Sequence, residues 1–404
     1  MADAPTVNLG ALGLDRGAHL LLKRALAQLP IGARLQVFGT DVELPVHLRA
    51  WCRAQGHKVE LLAGERGPGP VAFVVRGSAE TGRWKDAVRA GAPDRTLAGA
   101  VVDRPASRWG LAARGARVEL GSPAFDFPLA DKDVVWADEA AALYAQAAAA
   151  QWDPATAVDW NAPITHPPEI EDAVVQVMTF LIENETAALI VPASFLAKIH
   201  PHFREVLQLL AIQAADEARH IECFTRRALL IRKDMGLSTA GGQESLKTLL
   251  EEPDFALAFF LLSVLGEGSF LSLLWFLHEY APDPVTREVC RLAAQDEARH
   301  VAFGLAHLRR HVSLDPGLRA RLAAAVARRH DALRSTDGLN EEVFDALVLL
   351  AAGSWEHHDL VSGHDRVLAL RADMDRGRRQ RLLKLGFPDD EAEALSALHT
   401  RNFM

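Results

Sequence analysis

One pentapeptide occurs twice in this chain. Asp216-Glu217-Ala218-Arg219-His220 returns unchanged as Asp296-Glu297-Ala298-Arg299-His300, 80 residues later (296 − 216). Each copy sets a Glu and a His three residues apart, and on an α-helix that spacing brings both side chains to one face, with Cβ atoms roughly 5–6 Å apart. Upstream of each copy lies a helical stretch rich in apolar residues that carries a carboxylate, Glu185 in Ile182–Ile190 and Glu267 in Leu262–Leu273. The intervals are 32 residues (217 − 185) and 30 residues (297 − 267), so helix, turn and helix are performed twice. Four carboxylates gathered among apolar helices would repel one another and lose their hydration unless cations neutralised them. Two divalent ions would set four positive charges against four negative ones. Mixed carboxylate and imidazole donors suit iron or manganese, whereas zinc or a cluster would be favoured by thiolates.

A single Glu-x-x-His is ordinary helix surface, but two identical pentads, each one helix downstream of an embedded Glu, are not so easily dismissed. In the first half-repeat Glu183 competes with Glu185. Steps of three, four and seven back from Glu185 reach Ile182, Leu181 and Met178, and forward steps reach Ala188 and Leu189, all apolar. The same backward steps from Glu183 meet Phe180, Thr179 and Gln176, a mixed face, so the buried stripe favours Glu185.

The order Glu, Glu-x-x-His, Glu, Glu-x-x-His on four successive helices resembles the ferritin-like di-iron carboxylate superfamily over about residues 168–312. The resemblance implies a four-helix bundle in which Glu185, Glu217, His220, Glu267, Glu297 and His300 hold two metal ions, Fe/Fe or Mn/Fe. It also implies that the Asp of each pentad serves the His of the other: Asp296 would orient His220, and Asp216 would orient His300. The bland alternative is a plain ion pair of these Asp residues with Arg219 or Arg299. Gln213 lies one turn before Glu217, where Ala293 precedes Glu297; Cys223 and Phe303 lie one turn after the two His residues. Gly266 and Gly268 flank Glu267 and, with Cys290 and Gln213, are candidates to shape a pocket for substrate or oxygen; close helix packing explains the glycines equally well. His357, His358 and His364 form a further His-rich patch, read as solvated surface or an added metal ligand.

Helices must position these residues. From Pro167 the pattern is helical almost to the end. Pro168–Val191 should end or kink at Pro192, and Pro201–Met235 should stop at Gly236. Asp254–Tyr280 and Pro284–Val312 complete the four, with Leu318–Leu333, Asn340–Val361 and Gly363–Leu385 outside them and Leu395–Met404 as a docked or frayed tail. Phe255–His278 is apolar and long enough to span a bilayer, but Glu267 at its centre favours burial inside protein.

Residues 1–76 alternate strand and helix signals: strands at Thr6–Leu9, Arg34–Phe38, Lys58–Leu62 and Val71–Arg76, helices at His19–Leu29 and Pro45–Gln55, and a Gly-rich loop at Gly64–Pro70. This is a small α/β sandwich. The element order, the Asp15 turn, Gly32, Trp51-Cys52 and Gly56-His57 resemble the small sulfur-carrier family related to TusA. That family carries Cys-Pro-x-Pro at the start of its first helix, where this chain has Gly17-Ala18-His19-Leu20. Cys52 falls in the second helix, so the implied role is docking a partner or shaping a pocket rather than persulfide transfer. Residues 77–150 are a connecting region or an extension, with a short helix at Trp84–Ala90, strands at Leu97–Val102, Ala116–Leu120 and Asp133–Trp136, and a helix at Ala140–Gln151. The expected architecture is therefore α/β plus all-α, divided as 1–76, 77–150 and 151–404.

Composition narrows the function. A net charge of −9 argues against nucleic acid as the main partner, since phosphate contacts need clustered Lys and Arg. Three unpaired cysteines, Cys52, Cys223 and Cys290, suit a reducing cytoplasm and exclude a CxxC module, which sets rubrerythrins aside. The start of the chain has no secretory pattern. The p-aminobenzoate N-oxygenase branch adds a His one turn before its second motif, where this chain has Ala293. The expectation is an O₂-dependent di-iron oxygenase or oxidase acting on a small organic molecule, supplied with electrons by an external ferredoxin or reductase. The rivals are ferroxidase activity alone, or a non-catalytic metal bundle whose front domain docks a sulfur-relay or other protein. Substrate and oligomeric state are not legible; a homodimer is one expectation.

Overall fold

The computed structural model describes residues 5–62, 70–79, 84–334 and 341–398. The Gly64–Pro70 loop, save its last residue, and the final six residues of the chain lie outside them. The chain forms two compact units, Met1–Ala90 with Gly115–Pro123, and Gly91–Arg114 with Ala124–Met404.

The first unit is a four-stranded mixed sheet with two helices. Its elements follow in the order β1 (Thr6–Asn8), α1 (Ala18–Ala27), β2 (Arg34–Phe38), α2 (Leu44–Ala54), β3 (Lys58–Leu61) and β4 (Ala72–Val75). The strand order is β1-β2-β4-β3. β1 runs parallel to β2 with Thr6 opposite Gln36, and β4 is antiparallel to both β2 and β3. Alternation places Leu35, Val37, Ala72 and Val74 inward, against Leu22 and Leu26 of α1 and Leu44, Leu48 and Cys52 of α2. Gly17 and Gly56, both at positive φ, turn the chain at helix ends. A second ribbon pairs β5 (Val88–Arg89) with β6 (Arg117–Val118). The helix expected at Trp84–Ala90 is absent, because Asp86 takes a left-handed φ of 62° and Val88 joins a strand.

The second unit is a four-helix bundle with added C-terminal helices. Two short helices, α3 (Lys132–Val135) and α4 (Ala140–Ala149), lead into α5 (Pro168–Leu196), α6 (Arg204–Ala228), α7 (Ala240–Leu250), α8 (Phe255–Glu279) and α9 (Pro284–Leu314). α10 (Leu318–Leu333), α11 (Glu341–Ala352), α12 (His357–Lys384) and α13 (Asp389–Ala397) follow. α5 packs along α6 and α8 along α9, and one continuous apolar core fills the bundle. α5 and α8 are each long and apolar enough to cross a membrane; in α8 89% of the most apolar window is buried within the protein, as Glu267 requires.

Several expectations change. Leu97–Val102 is turn rather than strand, with Gly99 at positive φ, and Asp133–Trp136 is the helical turn α3, capped by Asp131 accepting from the Asp133 N–H. α5 continues through Pro192, since Val191, Pro192 and Phe195 are all buried and Phe195 packs on Phe255 with ring centroids 5.1 Å apart. α6 ends at Ala228, short of Met235, because α5 side chains capture the backbone beyond it: Gly236 N–H donates to Thr179 Oγ1 and Leu237 N–H to Gln176 Oε1. α7 was not foreseen behind its Ala-Gly-Gly start, and it begins with a Thr239 cap. The helix read as Asn340–Val361 breaks at Gly353 (φ 73°), and the next one starts at His357 rather than Gly363. Gly363 lies inside α12 because a Cβ there would sit 2.5 Å from Val348 O of α11.

Candidate metal centre

The repeated pentads lie in the middles of α6 and α9, and their Glu and His residues face the bundle axis. Glu185 comes from α5 and Glu267 from α8. All six side chains are buried. Their donor atoms form two overlapping groups, each within 4.8 Å across: Glu185, Glu217, His220 and Glu297, and Glu217, Glu267, Glu297 and His300. Glu217 and Glu297 belong to both. Glu183 takes no part.

The two imidazoles are held in the same way. Asp296 Oδ2 lies 3.2 Å from His220 Nε2, and Asp216 Oδ2 lies 3.4 Å from His300 Nε2. Burial would raise both Asp side chains, yet the hydrogen bonds and charge of His300 at Asp216 and of His220 at Asp296 draw them below the usual carboxylate range. An ionised carboxylate can only accept, so Nε2 donates and Nδ1 is directed inward, free to bind a cation in the neutral imidazole or to carry the second proton of an imidazolium. His220 Nδ1 then faces Glu217 at 3.2 Å and Glu185 and Glu297 each at 3.6 Å. His300 Nδ1 faces Glu217 at 3.0 Å and Glu297 at 3.4 Å, without hydrogen-bond alignment to either. One buried oxygen each of Glu185, Glu217, Glu267 and Glu297 also has no hydrogen-bond partner among the described residues. Lone pairs converging on lone pairs are unfavourable unless a cation lies among them. The donor set fits two divalent ions, with Glu217 and Glu297 available to both.

In the absence of metal, protons are the alternative cations. Burial, then the neighbouring Glu297 charge, lifts Glu267 to about 8 and Glu217 well above its ordinary value. Burial disfavours the charged imidazoles, yet the surrounding carboxylates hold both His residues well above theirs.

Arg219 bridges the two Asp residues, at 2.5 Å from Asp216 and 2.7 Å from Asp296, and Arg299 pairs with Asp296. The ion pairs and the imidazole contacts therefore coexist. Two residues that sequence reasoning missed complete this layer. Gln151 donates to Asp216 at 2.8 Å and accepts from Arg219 at 2.6 Å. Trp152 Nε1 donates to Asp296 at 2.8 Å, its ring stacked beside His220 and under Arg219. They lie in the loop after α4, and nothing in their local sequence signals the contact.

Gln213 Nε2 donates to Glu267 Oε1 at 3.0 Å. A cavity of about 20 Å³ adjoins Glu185, Glu267 and Glu297, lined by Asn184, Ala188, Leu249, Leu262, Gly266 and Phe270. That is room for one water-sized molecule. Gly266 lines it. Gly268 does not, and it faces Arg381 instead. Cys290 is buried near Arg227 and Asp283, away from the cavity, and burial pushes its thiol above the ordinary range. His357, His358 and His364 are exposed and join no ligand-spaced group among the described residues.

No family model and no curated protein matches this chain. Solved structures of R2-like ligand-binding oxidases are similar in the course of their helices. One with an aerobically reconstituted metal cofactor is 17% identical over 64% of this chain and 89% of its own, with a TM-score of 0.41. Another, a variant with an Fe/Fe cofactor, is 18% identical over 62% and 92%, with a TM-score of 0.42. Likeness of this degree assigns this chain no metal, substrate or reaction.

Proposed function

We propose that this protein binds an Fe/Fe or Mn/Fe pair through Glu185, Glu217, His220, Glu267, Glu297 and His300 and is an O₂-dependent oxidoreductase, an oxidase or oxygenase. The observation that carries this reading is the convergence of two imidazole Nδ1 atoms on carboxylate oxygens inside an apolar core. Thiolates are absent from the cluster and the donors are carboxylates and imidazoles, which favours iron and manganese. When bound, such a pair in its reduced form supplies two electrons to O₂.

The chain's own residues prepare that chemistry. Asp216 and Asp296 fix the imidazole orientations, and Arg219 and Arg299 pair with both Asp residues and hold them in place. Gln213 orients Glu267. Ala188, Leu249, Leu262 and Phe270 give the cavity an apolar lining. Return to the reduced state would draw on an external ferredoxin or reductase. A small organic substrate would require Leu249 or Phe270 to swing aside, since the cavity is of O₂ rather than substrate size. That size favours a second reading, in which the bundle oxidises iron alone. The first unit's β1-α1-β2-α2-β3-β4 order supports the likeness to small sulfur carriers and a docking role beside either activity.

The test is anaerobic titration with ferrous ion, then admission of O₂. Two ions bound per chain, a transient visible absorption and O₂ consumption are expected; oxidation of added iron in excess with no organic product would select the second reading. His220→Ala and Glu297→Ala should each bind fewer than two ions with the first unit still folded. Full stoichiometry in both variants would refute the ligand assignment.

A further inference from the structure

Glu267 closes a segment of α8 that is not α-helical. Phe260–Glu267 is wound as a π-helix, and the Gly268 N–H reaches back to Ser263 O. In an unbroken α-helix that N–H would bond Val264 O. Val264 O instead accepts from Arg381 Nε at 2.6 Å, a side chain of α12, outside the four helices. Beside it, Arg378 Nη1 reaches Ser269 Oγ at 3.3 Å, and that hydroxyl donates to Leu265 O at 2.8 Å. Two successive carbonyls just ahead of Glu267 are thus tied to one turn of α12.

Two glycines make this possible. A Cβ at Gly268 would lie 2.4 Å from Arg381 Nε, and one at Gly377 would lie 3.0 Å from its Nη1. Burial lowers Arg381 to about 10, and no carboxylate among the described residues lies within ion-pair distance of it. Its Nη2 has no hydrogen-bond partner among the described residues. A half-buried guanidinium with no carboxylate in ion-pair contact is a poor device for stability, and an apolar side chain of similar size would serve the fold as well or better.

We propose that Arg381 is a positioning residue: by taking the Val264 carbonyl it holds the π-turn that aims Glu267 at Glu217, Glu297 and His300. This rests on Glu267 being a metal ligand. The test compares full-length wild type, Arg381→Met and Arg381→Lys by anaerobic Fe(II) titration, Co(II) ligand-field spectra and thermal melting. In Arg381→Met one of the two ions should bind at least tenfold more weakly with an altered Co(II) spectrum, while the melting temperature holds or rises. Arg381→Lys, which keeps a donor, should recover part of both. Wild-type binding and spectrum in Arg381→Met would overturn the proposal and leave the metal centre standing. So would an Arg381→Met protein that melts far lower, with Arg381→Lys restoring melting and metal uptake in equal measure, since that is a role in the fold alone. A wild type that binds no ions would sink both this inference and the reading beneath it.

Discussion

Glu267 shows at single-residue scale how the site opposes the fold that carries it. Its ordinary value is 4.5, and burial beside Glu297 raises it to about 8 without metal. Between those values the folded chain holds a proton that the unfolded chain has released. Stability therefore falls as pH rises through that window, the reverse of the usual salt-bridged carboxylate. Metal-free Glu267→Gln should lose less melting temperature between pH 5.5 and 8 than metal-free wild type, and should be the more stable of the two at pH 8. With two divalent ions bound the order should invert, because the neutral amide cannot balance their charge. Differential scanning calorimetry across that range, with and without metal, checks both statements. Parallel pH slopes in the metal-free proteins would mean that Glu267 is not charged at the expense of folding.

At the scale of elements, the parts that could be read from sequence are those in which local pattern and tertiary role agree. α9 begins at Pro284 behind an Asp283 cap, and Leu318–Leu333 was bounded by its own apolar spacing. The pentads could be placed on helices because their neighbours repeat at helical period. The continuation of α5 through Pro192 could not be read, since the aromatic contacts of Phe195 lie on another helix. Nor could the π-turn: Phe260–Glu267 reads like any apolar helix, and its donor comes from Arg381, 117 residues beyond Val264. Gly304 is a further silent participant. A Cβ there would lie 2.6 Å from Ser263 Cβ, so this glycine lets α9 approach the π-turn. Gly304→Ala should push the two helices apart, cost about 1–3 kcal/mol, and weaken metal uptake at the Glu267 side more than at the Glu185 side. Melting and Fe(II) stoichiometry measure the two effects. An unchanged melting temperature would show that the contact has slack.

At the scale of the whole molecule, sequence and structure divide the chain differently. The sequence suggests breaks after residues 76 and 150, whereas Gly91–Arg114 packs with the helical unit and Gly115–Pro123 returns to the first. Long-range polar contacts decide this, and no local signal carries them. Arg114 forms a buried ion pair with Glu205 at the start of α6, their side chains 1% and 5% exposed. The Val102 N–H donates to His202 Nε2 at 2.9 Å, and burial lowers that imidazole to about 4, keeping it a neutral acceptor. A chain beginning at Ala124 would leave Glu205 only the half-exposed Arg204, 3.5 Å away, as a cation partner among the described residues, and should melt lower, losing less than the about 3–5 kcal/mol of a fully stranded buried charge. A chain beginning at Gly91 should keep the full-length bundle's melting temperature and metal stoichiometry. Adding Glu205→Gln to the shorter chain should return part of the difference, because it removes the weakly paired charge. Equal melting of the two truncated proteins would mean that residues 91–114 decorate the bundle rather than complete it.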